Sequence, residues 1–96
     1  MPPRPPRNRP DPETLALRAL AHIAGDEVLL PRFIALSGLD GASLKAGAGD
    51  RAVLGGVLDF VLGDERLVTA LAAEFDVPPE SFAWARRQLP GWAPEV

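Results

Sequence analysis

Few residues of this chain are of types that do chemistry, so their spacing decides what they can do. His22 is the only histidine, and cysteine is absent. A general base or a metal ligand needs partners at defined spacing. One helical turn to either side of His22 stand Arg18, Ala19, Gly25 and Asp26. They make no ligand set, and a structural or surface histidine is expected. The absence of cysteine removes thiol chemistry, disulfides and Cys-ligated metals. The acid pairs Asp26-Glu27 and Asp64-Glu65 resemble paired carboxylates. They also stand where helices should start, and unpaired backbone N–H groups there explain them fully. Ser37, Ser43 and Ser81 lack a nucleophile-elbow context. The glycines match neither a P-loop nor a dinucleotide-binding fingerprint. No catalytic residue, cofactor or metal is expected.

One segment suggests a different chemistry. Residues 71–82, Leu-Ala-Ala-Glu-Phe-Asp-Val-Pro-Pro-Glu-Ser-Phe, resemble the core of a helix-turn-helix: a small residue in the first helix, an apolar turn residue, an apolar residue in the second. Arg86 and Arg87 near the end of that second helix are candidates for phosphate contacts. Against this, Asp76 stands where the turn usually has glycine. The positions that would meet bases are Pro79, Glu80, Ser81, Ala83 and Trp84, and none reads a purine edge as Arg, Lys, Asn or Gln does. DNA binding through residues 71–89 is the alternative reading. The preferred one is a protein-interaction or adaptor module. Its candidate contact residues are Trp84 and Trp92, since tryptophan anchors interfaces as well as covering cores.

The elements that must position these residues read as helices. Asp11-Pro12-Glu13 supplies an N-cap oxygen, a proline at the first helical position and an acid in the first turn. Leu17, Leu20, Ala21 and Ala24 follow at helical spacing. Gly25 and Asp26 end that helix and cap the next, whose stripe is Leu29, Leu30, Phe33 and Ile34. Gly38 stops it, and Asp40 heads a short third helix through Leu44. Asp50 restarts the chain. Val53, Leu54, Val57, Leu58, Val61 and Leu62 then mark the most buried helix. Gly55 and Gly56 lie inside it, where each costs about 1 kcal/mol relative to alanine. Close approach of a neighbouring helix is the expected reason, with a hinge as the alternative. Leu67, Val68, Leu71 and Phe75 form another stripe. A last helix runs from Pro79-Glu80-Ser81 to Leu89, and Pro90-Gly91 stops it. No segment alternates with period two.

The composition agrees with one small domain. The chain has 96 residues, 47% of them hydrophobic and 24% charged. Its mean hydropathy is +0.05 and its pI about 5.0. Six of the 11 prolines fall between Pro2 and Pro12, with Arg4, Arg7 and Arg9 among them. Residues 1–12 are expected to be a disordered, PPII-rich basic arm, because they carry too little apolar surface to offset ordering. Pro2-x-x-Pro5-x-Arg7 has the spacing of an SH3-type ligand, which short Pro/Arg tails also produce by chance. Residues 13–96 form the helical domain. With three of the ten basic residues and one of the 13 acids in the arm, that domain is acidic, which opposes phosphate binding. No apolar run approaches the roughly 18 residues of a membrane span.

A shift of 38 residues superposes the two halves. Gly25-Asp26-Glu27 falls on Gly63-Asp64-Glu65, Leu20 on Leu58, Leu29 on Leu67, Ala35 on Ala73 and Ser43 on Ser81. Ile23 meets Val61, Phe33 meets Leu71, Leu39 meets Val77 and Leu44 meets Phe82. Each half reads as helix, break, helix, tight turn and short helix. Neither half is large enough to bury its apolar faces alone, so the two should pack around one core. Convergence of helix punctuation is the alternative explanation.

Two runs carry a family resemblance. Residues 33–40, F-I-A-L-S-G-L-D, and residues 58–67, L-D-F-V-L-G-D-E-R-L, are similar to a bacterial family known as domain of unknown function 3572. The likeness spans Leu15 to Leu89 and leaves out the arm. It implies a short, helical, cytosolic protein with no assigned activity and no catalytic residue to carry over. The second turn, Asp76-Val77-Pro78-Pro79, is less typical than Gly38-Leu39-Asp40-Gly41. The expectation is therefore an all-α single-domain bundle of five or six short helices. It should be cytoplasmic, with no membrane association and no cofactor, and its partner should be another protein.

Overall fold

The computed structural model describes residues 11–38 and 50–90. Five helices run along them: α1 (Pro12–Ala24), α2 (Leu29–Ser37), α3 (Arg51–Leu62), α4 (Glu65–Phe75) and α5 (Glu80–Arg87). No strand occurs among the described residues, and the chain is all-α. The expected arm through Pro10, the short helix expected over 40–44 and the tail with Trp92 lie outside the described residues. Pro12 belongs to the helical body, since it is the first residue of α1.

The helix starts follow the sequence closely. The Asp11 carboxylate accepts from the N–H of Glu13 and Thr14 at 3.0 and 3.2 Å, and Asp50 accepts from Ala52 N–H at 2.9 Å. Both satisfy donors that a helix N-terminus leaves open. At the starts of α2 and α4 the same device recurs at the 38-residue shift, while α5 starts after Pro79 without a side-chain cap. Asp26 accepts from Val28 and Leu29 at 2.8 and 2.9 Å. Asp64 accepts from Arg66 and Leu67 at 3.0 and 3.3 Å. The helix stops match as well. Gly38 (φ 75°) and Asp76 (φ 56°) are the two described residues with positive φ, and they too are 38 apart. Gly38 N–H donates to Ile34 O at 2.9 Å. After α4, Val77 N–H donates to Ala72 O and Asp76 N–H to Ala73 O, which is a Schellman closure. Asp76 thus holds the left-handed conformation that glycine supplies in the first half, one that Asp tolerates better than most residues.

The core lies between α1 and α3, which pack side by side. α5 lies against both, while α2 packs on α1 and α4 on α3. In α3 the buried residues are Leu54, Gly55, Val57, Leu58 and Val61, as the spacing predicts. In α4 they are Leu67, Leu71, Ala72 and Phe75, again on the expected stripe. The stripe expected in α1 is wrong in phase. Leu15, Ala16, Ala19, Leu20 and Ile23 are buried, whereas Leu17, Ala21 and Ala24 are exposed. Ala16 and Ala19 join Leu15, Leu20 and Ile23 on the buried face, where small residues permit close helix packing, and Leu17 is left outside. α2 is the least buried of the longer helices. Phe33 is its one buried residue, and Leu29, Leu30 and Ile34 cover the core from the side. α5 ends at Arg87 rather than Leu89, because Gln88 and Leu89 close a tighter turn through N–H bonds to Ala85 and Arg86 carbonyls.

The two adjacent glycines of α3 have different reasons. A Cβ on Gly55 would stand 3.0 Å from Arg86 Nη1 and 3.1 Å from the Pro90 carbonyl oxygen. A Cβ on Gly56 would meet nothing within 4 Å. Gly55 is therefore a close-approach glycine, as expected, and Gly56 is not. Gly56→Ala should stabilise the protein by about 0.4–1 kcal/mol through the unfolded chain's lost freedom. Gly55→Ala should destabilise it by about 1 kcal/mol or more, since overpacking outweighs the propensity gain. Urea unfolding of the two variants checks this, and shifts of the same sign would refute it.

Candidate functional site

Arg86 is the most constrained polar side chain of the body. Its side chain is only 8% exposed. Nε donates to Asp59 Oδ1 at 2.7 Å, and Nη1 donates to the carbonyls of Leu89 at 3.4 Å and Pro90 at 3.2 Å. These carbonyls follow the end of α5, where backbone acceptors lack helical partners. Arg86 thus ties the chain leaving α5 down onto α3, in the space that Gly55 leaves. Arg51 fixes the same stretch one turn earlier, with Nη2 donating to Gln88 O at 3.2 Å and Nε 3.0 Å from Glu13 Oε1. The expected phosphate contact at Arg86 is corrected by this geometry. The guanidinium faces inward because Nε and Nη1 make three bonds to acceptors of the same chain. Arg87 is exposed.

The other residues expected to face a ligand are dispersed. Ser81 is buried with its hydroxyl unpaired among protein atoms, so it cannot meet a base. Trp84 is half-buried and covers the core. Trp92 lies outside the described residues. His22 is joined to another helix, with Nδ1 3.3 Å from Glu74 Oε2, and beside it the Arg18 guanidinium lies 4.4 Å over the Phe75 ring. No group of three potential metal ligands occurs among the described residues, and no described helix is long and apolar enough to cross a membrane.

The Asp26 carboxyl is held below its ordinary value, first by the N–H of Leu29 and then by that of Val28. A lowered folded value means a contribution that is present above the ordinary carboxylate range and is lost as pH falls through the lowered value. Asp26→Ala should therefore be less stable than the parent at neutral pH and approach it at strongly acid pH. Urea midpoints at the two pH values test this, and a gap independent of pH would contradict it.

The feature that sequence reasoning missed is an apolar groove between α2 and α3. It is about 530 Å³ in volume, and Phe33, Leu36, Val53, Gly56, Asp59 and Phe60 contribute to its lining. Phe33 and Phe60 meet edge to face at its base, with ring centroids 5.2 Å apart. Gly56 borders open space there, since a Cβ at that position would meet nothing within 4 Å. Leu36 stands at the rim and is 75% exposed. A signal was present: Leu36 and Phe60 recur seven residues after Leu29 and Val53, so each widens its helix's apolar stripe at one edge. Those two edges line the groove.

No curated protein and no solved structure matches the chain. The model of the family described as "protein of unknown function (DUF3572)" matches residues 9–92, nearly the whole sequence, and the chain belongs to that family.

Proposed function

We propose that this protein is a non-enzymatic interaction module that binds another protein, in the cytoplasm, through the outward face of α2. One observation carries the reading. Val28 and Leu36, 66% and 75% exposed, stand eight residues apart, with exposed Arg32 midway between them. That spacing sets apolar side chains on one strip of a helical surface, with a cation between them. Exposed large apolar residues grouped beside an apolar groove are typical of a protein contact. The side chains that chemistry would need have structural work instead: four aspartates cap helices, His22 pairs with Glu74 and Arg86 is held inside. The DNA-binding alternative loses Arg86 and Ser81 to the interior. On α5 it keeps Arg87 as the outward cation, on an acidic body.

Affinity capture from native lysate, compared between the parent and Leu36→Asp, tests the proposal. At least one abundant partner should be captured by the parent and lost with the variant, which retains its helicity. A duplex DNA titration of the purified protein should show no binding that weakens steeply with salt. A partner set indifferent to Leu36→Asp, or steeply salt-dependent duplex binding, would overturn it.

A further inference from the structure

The described chain ends against α3, beside a residue that adjoins the groove between α2 and α3. Pro90 is the last described residue. Its carbonyl accepts from Arg86 Nη1 at 3.2 Å and stands 3.1 Å from the position of a Gly55 Cβ. Gln88 O lies by Arg51 at the start of α3, and Pro90 O lies by Gly55 one turn on. The chain therefore runs along α3 toward Asp59. Asp59 is both the Arg86 partner and a lining residue of the groove. Gly56 adjoins Gly55 and opens into the groove. Two residues beyond Pro90 stands Trp92, and two residues span at most about 7 Å.

We propose that Trp92 of the same chain inserts its indole into the groove between α2 and α3, over Gly56 and against Phe60 and Val53. Three features of the groove suit this occupant. Its wall is aromatic and aliphatic, and an indole removes a large apolar area from water there. It has room: its volume is about 530 Å³, and even a Cβ at position 56 would meet nothing within 4 Å. Its rim carries the Asp59 carboxylate, which accepts from Arg86 yet has further lone pairs for the indole N–H. The exit is built to deliver the residue: a buried arginine bonded to Asp59 and to two carbonyls fixes the last described residues against α3, and Gly55 makes the space. The tail then covers the groove, leaving Leu36 on the rim as part of the surface a partner meets. The inference does not depend on there being a partner.

The test uses the full chain. In the unmodified protein, nuclear Overhauser contacts should join the Trp92 indole to Phe60 and Val53. In a Trp84→Phe background, Trp92 emission should be blue-shifted, with iodide quenching several-fold weaker than for a free indole. Gly56→Leu in that background should restore strong quenching while helicity is kept, since position 56 has open space. Gly56→Gln is the second variant and should do the same. The shielding should be independent of protein concentration. Absence of the Overhauser contacts, or contacts to Phe60 from Leu39 or Leu44 in their place, would overturn the proposal. So would a freely quenched Trp92 in the parent, or shielding that survives both Gly56 variants. Shielding lost on dilution would also overturn it, because the indole would then sit in the groove of a second copy.

Discussion

Leu58→Ala is expected to destabilise the fold by about 2–5 kcal/mol, the range for emptying a buried leucine site. Leu58 is fully buried in α3, and α3 is packed by α1, α4 and α5. A cavity there has walls from several helices, and each is held by its other contacts, so collapse to fill it is limited. A body this small has a stability of only several kcal/mol, so the variant should be largely unfolded at moderate temperature. Phe33→Ala and Leu71→Ala, at matched positions of the two halves, should cost similar amounts, since both residues are buried at 2% or less. Urea denaturation followed by far-UV circular dichroism measures all three. A loss below about 1 kcal/mol at Leu58 would mean that α3 is not the centre of the core.

Arg86→Met is expected to cost on the order of 2–3 kcal/mol, and Asp59→Ala less than about 1 kcal/mol. The asymmetry follows from where each partner stands. Asp59 keeps 58% of its side chain exposed, so water replaces most of what Arg86 gave it. Arg86 is buried and also supplies the donor for the carbonyls of Leu89 and Pro90. Methionine fills part of the space without a donor, and those carbonyls lose their partner. A double-mutant cycle in urea separates the pair from the carbonyl bonds. Equal losses for the two single variants would show that the ion pair, rather than the tethering of the chain after α5, carries the energy.

Much of the fold was legible from local features. Asp11, Asp26, Asp50 and Asp64 were readable as caps because a short acidic side chain before an apolar run has one strong local use. The stripes of α3 and α4 were readable because large aliphatic residues recur there at helical spacing. The 38-residue repeat was visible in the same punctuation, and the structure adds the matched left-handed residues Gly38 and Asp76. The stripe of α1 was misread because alanine gives little hydrophobic signal, yet Ala16 and Ala19 are fully buried. Of the candidate site, the sequence offered Trp84, Trp92, Arg86 and Arg87 as residue types and did not show what each touches.

Spacing along one helix reports that helix's own face, and with the local caps it determined the all-helical class and most helix starts and stops, while two sequence motifs carried the likeness to the family. Which side chains meet across helices depends on crossing angles and on the sizes of residues far apart in sequence, and only the tertiary structure decided those. Arg86 reads as a surface cation until Asp59, 27 residues away, and the carbonyls after α5 are brought to it. Gly55 and Gly56 are identical neighbours until one faces Pro90 and the other faces open space. The groove has no counterpart in any single segment. It is formed where Phe33 and Leu36 of α2 stand across from Val53, Gly56 and Phe60 of α3, and packing brings Phe33 and Phe60 edge to face.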